Sequence, residues 1–156
     1  GLFPVGPFTL LDFVGLDVAV HAGKTLENAF GETYSVSPLL KKAVEQGHLG
    51  SKVGKGIQDL AEDFEAKITA EEVMDRVMAV AVNEAAKCVH EEGITTFQDA
   101  DTGMRLGTNW NPGPFQFADK VGLSKIIETL KGLQATYGDF YKPSELLIQQ
   151  GDKKFY

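Results

Sequence analysis

The chain has 156 residues, of which 43% are hydrophobic and 24% charged, and its formal net charge is -7. Such a chain buries enough surface for a real hydrophobic core. The negative charge argues against nucleic-acid or anionic-membrane binding, since both need a basic face. Cys88 is the only cysteine, and no apolar run reaches the roughly 18 residues of a membrane span. We therefore expect an intracellular protein, cytoplasmic or in an organelle matrix, without a signal peptide.

Helical spacing of apolar residues dominates the first sixty positions. One helix is predicted from Leu16 to Phe30, and Gly31 follows as its stop signal. Ser37-Pro38 predicts the N-cap and first turn of another helix, which should end at Gly47. Residues 47–56 contain four glycines together with His48, Lys52 and Lys55, and this composition predicts a flexible basic loop.

A long helix is predicted from Thr69 to Glu92. Thr69 and Glu72 have the spacing of a capping box, and Gly93 follows as the stop. The apolar residues of this segment form two adjoining stripes rather than one. So wide an apolar surface predicts a helix that is buried on more than one side.

Three shorter helices are predicted in the rest of the chain. The first covers residues 98–106, the second follows an apolar stripe that ends near Gly138, and the third covers residues 144–150. A loose tail is expected at residues 151–154. No segment shows the alternation of a β-strand, so the sequence predicts an all-α fold.

An internal repeat is the most informative feature of the chain. Gly6-Pro7-Phe8, Asp12 and Val14-Gly15-Leu16 recur as Gly113-Pro114-Phe115, Asp119 and Val121-Gly122-Leu123, always 107 residues later. Such a register predicts a duplicated domain. We place the first copy at residues 1–60, a linker at 61–68 and the second copy at 69–156. The first copy lacks a counterpart of the long helix, so we expect the chain to be a piece of a longer protein.

Nucleotide-binding motifs are incomplete. Residues 50–56 have three residues between glycines where a phosphate loop needs four, and no Ser or Thr follows Lys55. The sequence also contains no G-x-G-x-x-G turn of the dinucleotide-binding type. A contact of Lys52 or Lys55 with a CoA phosphate stays open. No metal site is expected, because Cys88 and His90 point to different helix faces.

With these residues in view, the chain resembles the C-terminal helical domain of the 3-hydroxyacyl-CoA dehydrogenases. The resemblance rests on the two Gly-Pro-Phe, Asp and Val-Gly-Leu signatures, and on Asn83-Glu84-Ala85 in the long helix. It covers nearly the whole chain. Two copies in tandem are similar to the C-terminal half of the larger β-oxidation enzymes, which implies a pseudo-dimer of the copies.

The resemblance also implies what this chain does not carry. The family's catalytic Asn lies in an Asn-Arg pair of the long helix, and that position is Asp75 here, followed by Arg76. A carboxylate lacks the amide donor, so the second copy is expected to be non-catalytic. The family's catalytic His and Glu and its NAD-binding glycines lie in a preceding domain that this sequence lacks. We therefore assign no catalytic, cofactor-binding or metal-binding residue and expect the fragment alone to be inactive.

We therefore hypothesise that the chain is part of an NAD-dependent enzyme that oxidises L-3-hydroxyacyl-CoA to 3-oxoacyl-CoA. In it, Pro7 and Phe8 help to wall the acyl-CoA cleft, and the helices provide dimer contacts, so we expect a homo-oligomer. We also expect dimerisation to hide the first copy's apolar face, by exchange of residues 73–89 between chains. Two alternatives remain, a non-catalytic helical dimerisation or scaffold module and an acyl-CoA binder without redox activity.

Overall fold

The first half of the chain folds into three α-helices joined by short turns. The computed structural model describes residues 5–63, 67–91 and 93–156. Helices α1 (Pro7–Val14), α2 (Leu16–Phe30) and α3 (Pro38–Glu45) are followed by 3-10 turns at Ser51–Val53 and Gln58–Asp63. The described residues up to 67 form one compact unit, and those from 68 onward form a second.

The second unit contains five α-helices. These are α4 (Ala70–His90), α5 (Phe97–Thr108), α6 (Pro114–Val121), α7 (Leu123–Tyr137) and α8 (Glu145–Gln150). Within the described ranges no strand forms, and the one β-bridge joins Gly50 to Lys55, so the all-α fold class is confirmed. No described helix is both long and apolar enough to cross a bilayer. The proposed 61–68 linker includes residues 64–66, outside the described residues, and the domain boundaries stay a prediction.

Local signals place most helix ends correctly. The capping box is confirmed, since the Thr69 hydroxyl accepts from the Glu72 amide and the Glu72 carboxylate accepts from the Thr69 amide. Gly31 ends α2 as predicted. Gly47 is the predicted stop of α3: it has φ 77° after the helix ends at Glu45, its amide donates to the Val44 carbonyl, and the His48 amide donates to the Ala43 carbonyl. Helix α4 ends at His90, before the predicted end at residue 92.

Helix α4 is the central helix of the second unit, and it packs against α5, α6, α7 and α8. The buried residues of α4 are Met78, Ala79, Val82, Asn83 and Ala86, whereas Val73 and Val77 are 42% and 47% exposed. Burial on more than one side is therefore wrong for the first two turns. The core around α4 comprises Ala79, Val82, Ala86, Phe115, Ala118, Leu123, Ile126, Leu130 and Leu147. The first unit has a smaller core of Leu16, Ala43, Ile57 and Leu60.

Each unit contains the same helix corner at the repeated motif. A single glycine separates α1 from α2 and α6 from α7, with φ of 106° at Gly15 and 92° at Gly122. Glycine adopts these angles without the steric cost that other residues incur. Leu16 and Leu123, immediately after the corners, are buried in their respective cores. The Val-Gly-Leu signature is therefore the sequence of a sharp turn between two packed helices.

An aspartate fastens the end of each unit to this corner. In the first unit, the Ile57 amide donates to Asp12 Oδ1 at 2.7 Å. In the second, the Phe155 amide donates to both Asp119 oxygens at 2.9 and 3.1 Å, and the Tyr156 amide donates to Oδ2 at 3.1 Å. Asp12 and Asp119 are the repeated aspartates of the motif. We call this arrangement the aspartate clasp.

Two segments that the sequence predicts to be mobile are ordered in the structure. Residues 151–154 are not a loose tail, because Gln150 Nε2 donates to the Lys154 carbonyl and Phe155 stacks on Phe115, with ring centroids 4.7 Å apart. The glycine-rich loop is likewise held at both ends. The Gly50 amide donates to the Lys55 carbonyl at 2.7 Å, and a Cβ at Gly56 would overlap the Asp12 carboxylate. The loop is therefore an ordered turn built around Asp12.

A second buried carboxylate holds the repeated Gly-Pro-Phe of the second unit. Asp101 is 1% exposed, and it accepts from the Phe115 amide at 2.7 Å and the Gln116 amide at 3.0 Å. These amides belong to the open N-terminus of α6, where negative charge is stabilising. The Tyr156 hydroxyl donates to the same carboxylate at 2.9 Å. Tyr156 thus joins Asp101 to Asp119, through its hydroxyl and its amide respectively.

The clasp should contribute measurably to stability. Asp12→Ala leaves the buried Ile57 amide without its acceptor, and we expect the free energy of unfolding to fall by about 2 kcal/mol. Urea unfolding followed by circular dichroism measures the change. Asp17→Ala removes an exposed carboxylate that follows the same corner, so its unfolding midpoint should stay near that of the parent. Equal midpoints for the two variants would contradict a structural role for Asp12.

The Tyr156 hydroxyl should make stability depend on alkaline pH. Burial, followed by the hydrogen bond to Asp101 and its charge, raises the pKa of Tyr156 from 10.0 to about 12. The folded state favours the neutral phenol, so its stabilisation is complete below pH 10 and is lost as the pH rises toward 12. In denaturant titrations at several pH values, Tyr156→Phe should flatten this decline. An unshifted phenolate absorbance titration for the residue would contradict the assignment.

Candidate functional site

Asp75 lies near the start of α4 and is engaged in an ion pair. Lys125 Nζ on α7 donates to Asp75 Oδ1 at 3.0 Å and lies 2.7 Å from Oδ2. The hydrogen bond to Asp75 raises the pKa of Lys125, which keeps the ammonium charged. A carboxylate in this state accepts hydrogen bonds and donates none. The position therefore provides an acceptor for a lysine and no donor for a substrate oxygen.

Pro7 and Phe8 begin helix α1 in the first unit, and both are exposed. Phe8 is 49% exposed, whereas its repeat counterpart Phe115 is fully buried. Phe115 is enclosed by Phe97 of α5 and by Phe155, with ring centroids 6.0 and 4.7 Å away. The same motif residue is thus a core residue in the second unit and a surface residue in the first. Phe8 presents an aromatic face that is available to a ligand.

The two lysines of the glycine-rich loop differ in their surroundings. Lys52 Nζ donates to Asp17 at 2.5 and 2.6 Å, and this hydrogen bond lowers the pKa of the Asp17 carboxyl. Lys55 is exposed and has no ion pair within the described part of the chain. A cavity of about 260 Å³ at the loop is lined by Lys55 together with Asp12 and Asp59, whose carboxylates accept from the Ile57 and Gly56 amides. A contact of Lys52 or Lys55 with a CoA phosphate stays a prediction.

Histidine and metal chemistry find no support among the described residues. No group of three or more His, Cys, Asp or Glu side chains is close enough to hold a metal ion in the ranges that the structure describes. His48 Nδ1 lies 3.2 Å from the Gly56 carbonyl oxygen and so belongs to the loop that the clasp secures. Its position favours a structural role.

The sequence reasoning missed the partners of the most consequential acidic residues. The repeat contains Asp12 and Asp119 without indicating their amide partners, and no spacing in the sequence connects Lys125 to Asp75. The signal for the clasp was present, since an aspartate retained in both copies amid apolar residues indicates a specific acceptor. Asp101 and Lys125 had no such signal, because neither belongs to the repeat and their partners lie 14 and 50 residues away.

The described residues do not fit a dinucleotide. A Rossmann-type site places the pyrophosphate at a glycine-rich turn between a strand and a helix. The residues that the structure describes form helices and turns without a strand to support such a turn. We therefore derive no hydride-transfer step from these side chains.

Comparison with known proteins agrees with this architecture. The family model for the 3-hydroxyacyl-CoA dehydrogenase C-terminal domain matches residues 2–60 and 73–155. The chain is 31% identical to the "Fatty acid oxidation complex subunit alpha" of Shewanella loihica, over 99% of this chain and 25% of that protein. The same subunit of Shewanella frigidimarina is 33% identical over 94% of the chain and 24% of its own length. The chain thus spans about a quarter of the length of these curated relatives.

A solved structure shows the same fold. The 3-hydroxybutyryl-CoA dehydrogenase of Escherichia coli K12 superposes with a TM-score of 0.75, over 95% of this chain and 51% of that one, at 22% identity. The family match falls on both copies of the repeat, and it includes the two helix corners and both clasp aspartates. The chain belongs to the 3-hydroxyacyl-CoA dehydrogenase C-terminal domain family.

Proposed function

We propose that this chain is the substrate-covering and dimerisation part of an NAD-dependent 3-hydroxyacyl-CoA dehydrogenase of fatty-acid β-oxidation. The whole enzyme would oxidise L-3-hydroxyacyl-CoA to 3-oxoacyl-CoA. The observation that carries the proposal is the family match across two copies of one helical domain. NAD would be bound by a domain outside this sequence, because the described residues do not fit it.

The first copy is the one that we assign to the substrate. Its Phe8 is half exposed at the start of α1, where the second copy has a fully buried Phe115. Pro7 restricts the backbone at the first turn of the helix, so Phe8 stands at the N-terminus of α1. An exposed aromatic ring suits the wall of an apolar acyl cleft.

The second copy is assigned a structural task. Its Asp75 stands at the position of the family's catalytic Asn and is paired with Lys125. This pair cannot offer the amide donor of the family's site. We propose that the second copy supports the first as a pseudo-dimer and that the whole enzyme is a homo-oligomer.

A non-catalytic helical dimerisation or scaffold module is the second candidate. The Asp75–Lys125 pair also favours this candidate. Asp75 is the one position of this chain that corresponds to a site residue of the family, and there a paired carboxylate replaces that residue. The two candidates differ in whether the first copy contributes to substrate affinity. Variants in the whole enzyme therefore separate them.

Pairing of the copies should couple their unfolding. Leu16 is fully buried in the core of the first unit, and Leu16→Ala should destabilise that unit by about 2–5 kcal/mol. Trp110 is the single tryptophan and lies in the second unit, so its fluorescence reports the second unit alone. In a pseudo-dimer, Leu16→Ala lowers the midpoint of the Trp110 transition. Lys24→Ala is the surface control, and a Trp110 midpoint unchanged by Leu16→Ala would contradict pairing.

The substrate role of Phe8 should appear in the kinetics of the whole enzyme. Phe8→Ala removes apolar contact area, so we expect KM for acyl-CoA to rise about fivefold or more while KM for NAD stays constant. Phe13→Ala, on another face of α1, is the matched control. Asp75→Asn should leave kcat within about twofold of the parent. An unchanged KM in Phe8→Ala would favour the dimerisation module instead.

A further inference from the structure

An apolar groove runs between α4 and α7 in the second unit. Its floor is formed by Val77, Val80, Ala81 and Leu133, and aromatic rings of Tyr137, Phe140 and Tyr141 form one wall. The groove encloses about 460 Å³, within the range of about 300–1,000 Å³ that small-molecule pockets occupy. Val77 and Tyr137 are 47% and 60% exposed, so this apolar surface is open. The dehydrogenase assignment gives it no task.

Arg76 is the only charged residue that lines the groove. It also lines a neighbouring cavity of about 330 Å³ with Thr129, Gly132 and Thr136, so the guanidinium lies where the two cavities meet. Arg76 forms no ion pair with any described residue. On the same helix, the adjacent Asp75 is paired with Lys125. The Glu72 carboxylate, whose charge interacts with Arg76, accepts from the Thr69 amide at 2.7 Å. The planar donors of Arg76 are therefore available to an outside anion.

Neighbouring cations and anions do not alter this charge pattern. Lys125 and Asp75 neutralise each other on the α7 side. Lys87 pairs with Glu84 at 2.7 Å and stands 5.4 Å from the centroid of the Phe140 ring. The groove thus has an apolar, aromatic body and a single available positive charge at one edge. This combination complements a molecule with an apolar tail and one anionic end.

We infer that the α4–α7 groove binds a carboxylate that carries a hydrocarbon tail. The tail lies against Val77, Val80 and the aromatic wall, and the carboxylate accepts two hydrogen bonds from Arg76. A guanidinium and a carboxylate match in geometry as a bidentate pair. The hydrocarbon tail gains by leaving water for this apolar surface. The site lies in the copy that we consider non-catalytic, so it is separate from the cleft assigned to Phe8.

Calorimetric titration with decanoate, below its micelle-forming concentration, tests the inference on the whole chain. We expect saturable binding at one site per chain. Arg76→Met keeps the length and apolar stem of the side chain, so it should weaken decanoate binding about tenfold, the change expected from losing a charge-assisted hydrogen bond. Arg76→Lys retains the charge and should lose less. Arg105→Met removes the other arginine of the chain and should bind like the parent.

Two further probes define the ligand chemistry. Decyltrimethylammonium has a similar tail with the opposite charge, and it should not bind with comparable affinity. Val77→Glu places a carboxylate in the groove at an exposed position, so the chain should fold normally by circular dichroism and lose decanoate binding.

Three results would overturn the inference. The first is the absence of saturable binding, and the second is an equal loss in Arg76→Met and Arg105→Met. The third is a chain that self-associates in sedimentation and is dispersed by Val77→Glu, since the groove would then be an interface between two copies. None of these results bears on Phe8, whose kinetic test in the whole enzyme stands separately.

Discussion

The structure depends on one interaction that occurs twice, the aspartate clasp at each helix corner. In both units an aspartate that follows Gly-Pro-Phe accepts backbone amides from the end of the same unit, at Ile57 in the first and Phe155 in the second. A carboxylate is suited to this task because it accepts several hydrogen bonds and buried amides must be satisfied. The clasp thereby joins the helix before each corner to a segment that follows later in the same unit.

The aspartate clasp explains the identity of the residues around each helix corner. The corner glycine allows two helices to meet at one residue, and the leucine after it enters the core. In the first unit the loop returns so close to Asp12 that only glycine fits at Gly56. In the second, Phe155 completes an aromatic cluster on Phe97 and Phe115. The repeated motif is therefore primarily a structural signature, and function is added where the copies differ.

The differences between the copies are where the proposed functions lie. The motif phenylalanine is fully buried in the second copy and half exposed in the first, and this difference supports the substrate wall that we propose for the first copy. The long helix of the second copy carries Asp75 in an ion pair with Lys125 and leaves an apolar groove beside Arg76.

The sequence by itself determined the all-α class, the repeated helix corner, the capping box at Thr69 and the glycine stop after α2. Those features are encoded by spacing within a few residues, and local geometry suffices to interpret them. Only the tertiary structure decided that Asp12 holds Ile57, that Asp75 pairs with Lys125, and that Val77 stays open to a groove. The first two link groups 45 and 50 residues apart. Packing brings such groups together. Hydrogen bonds and apolar contacts between residues so far apart leave no pattern in the local sequence, so the sequence alone does not predict them.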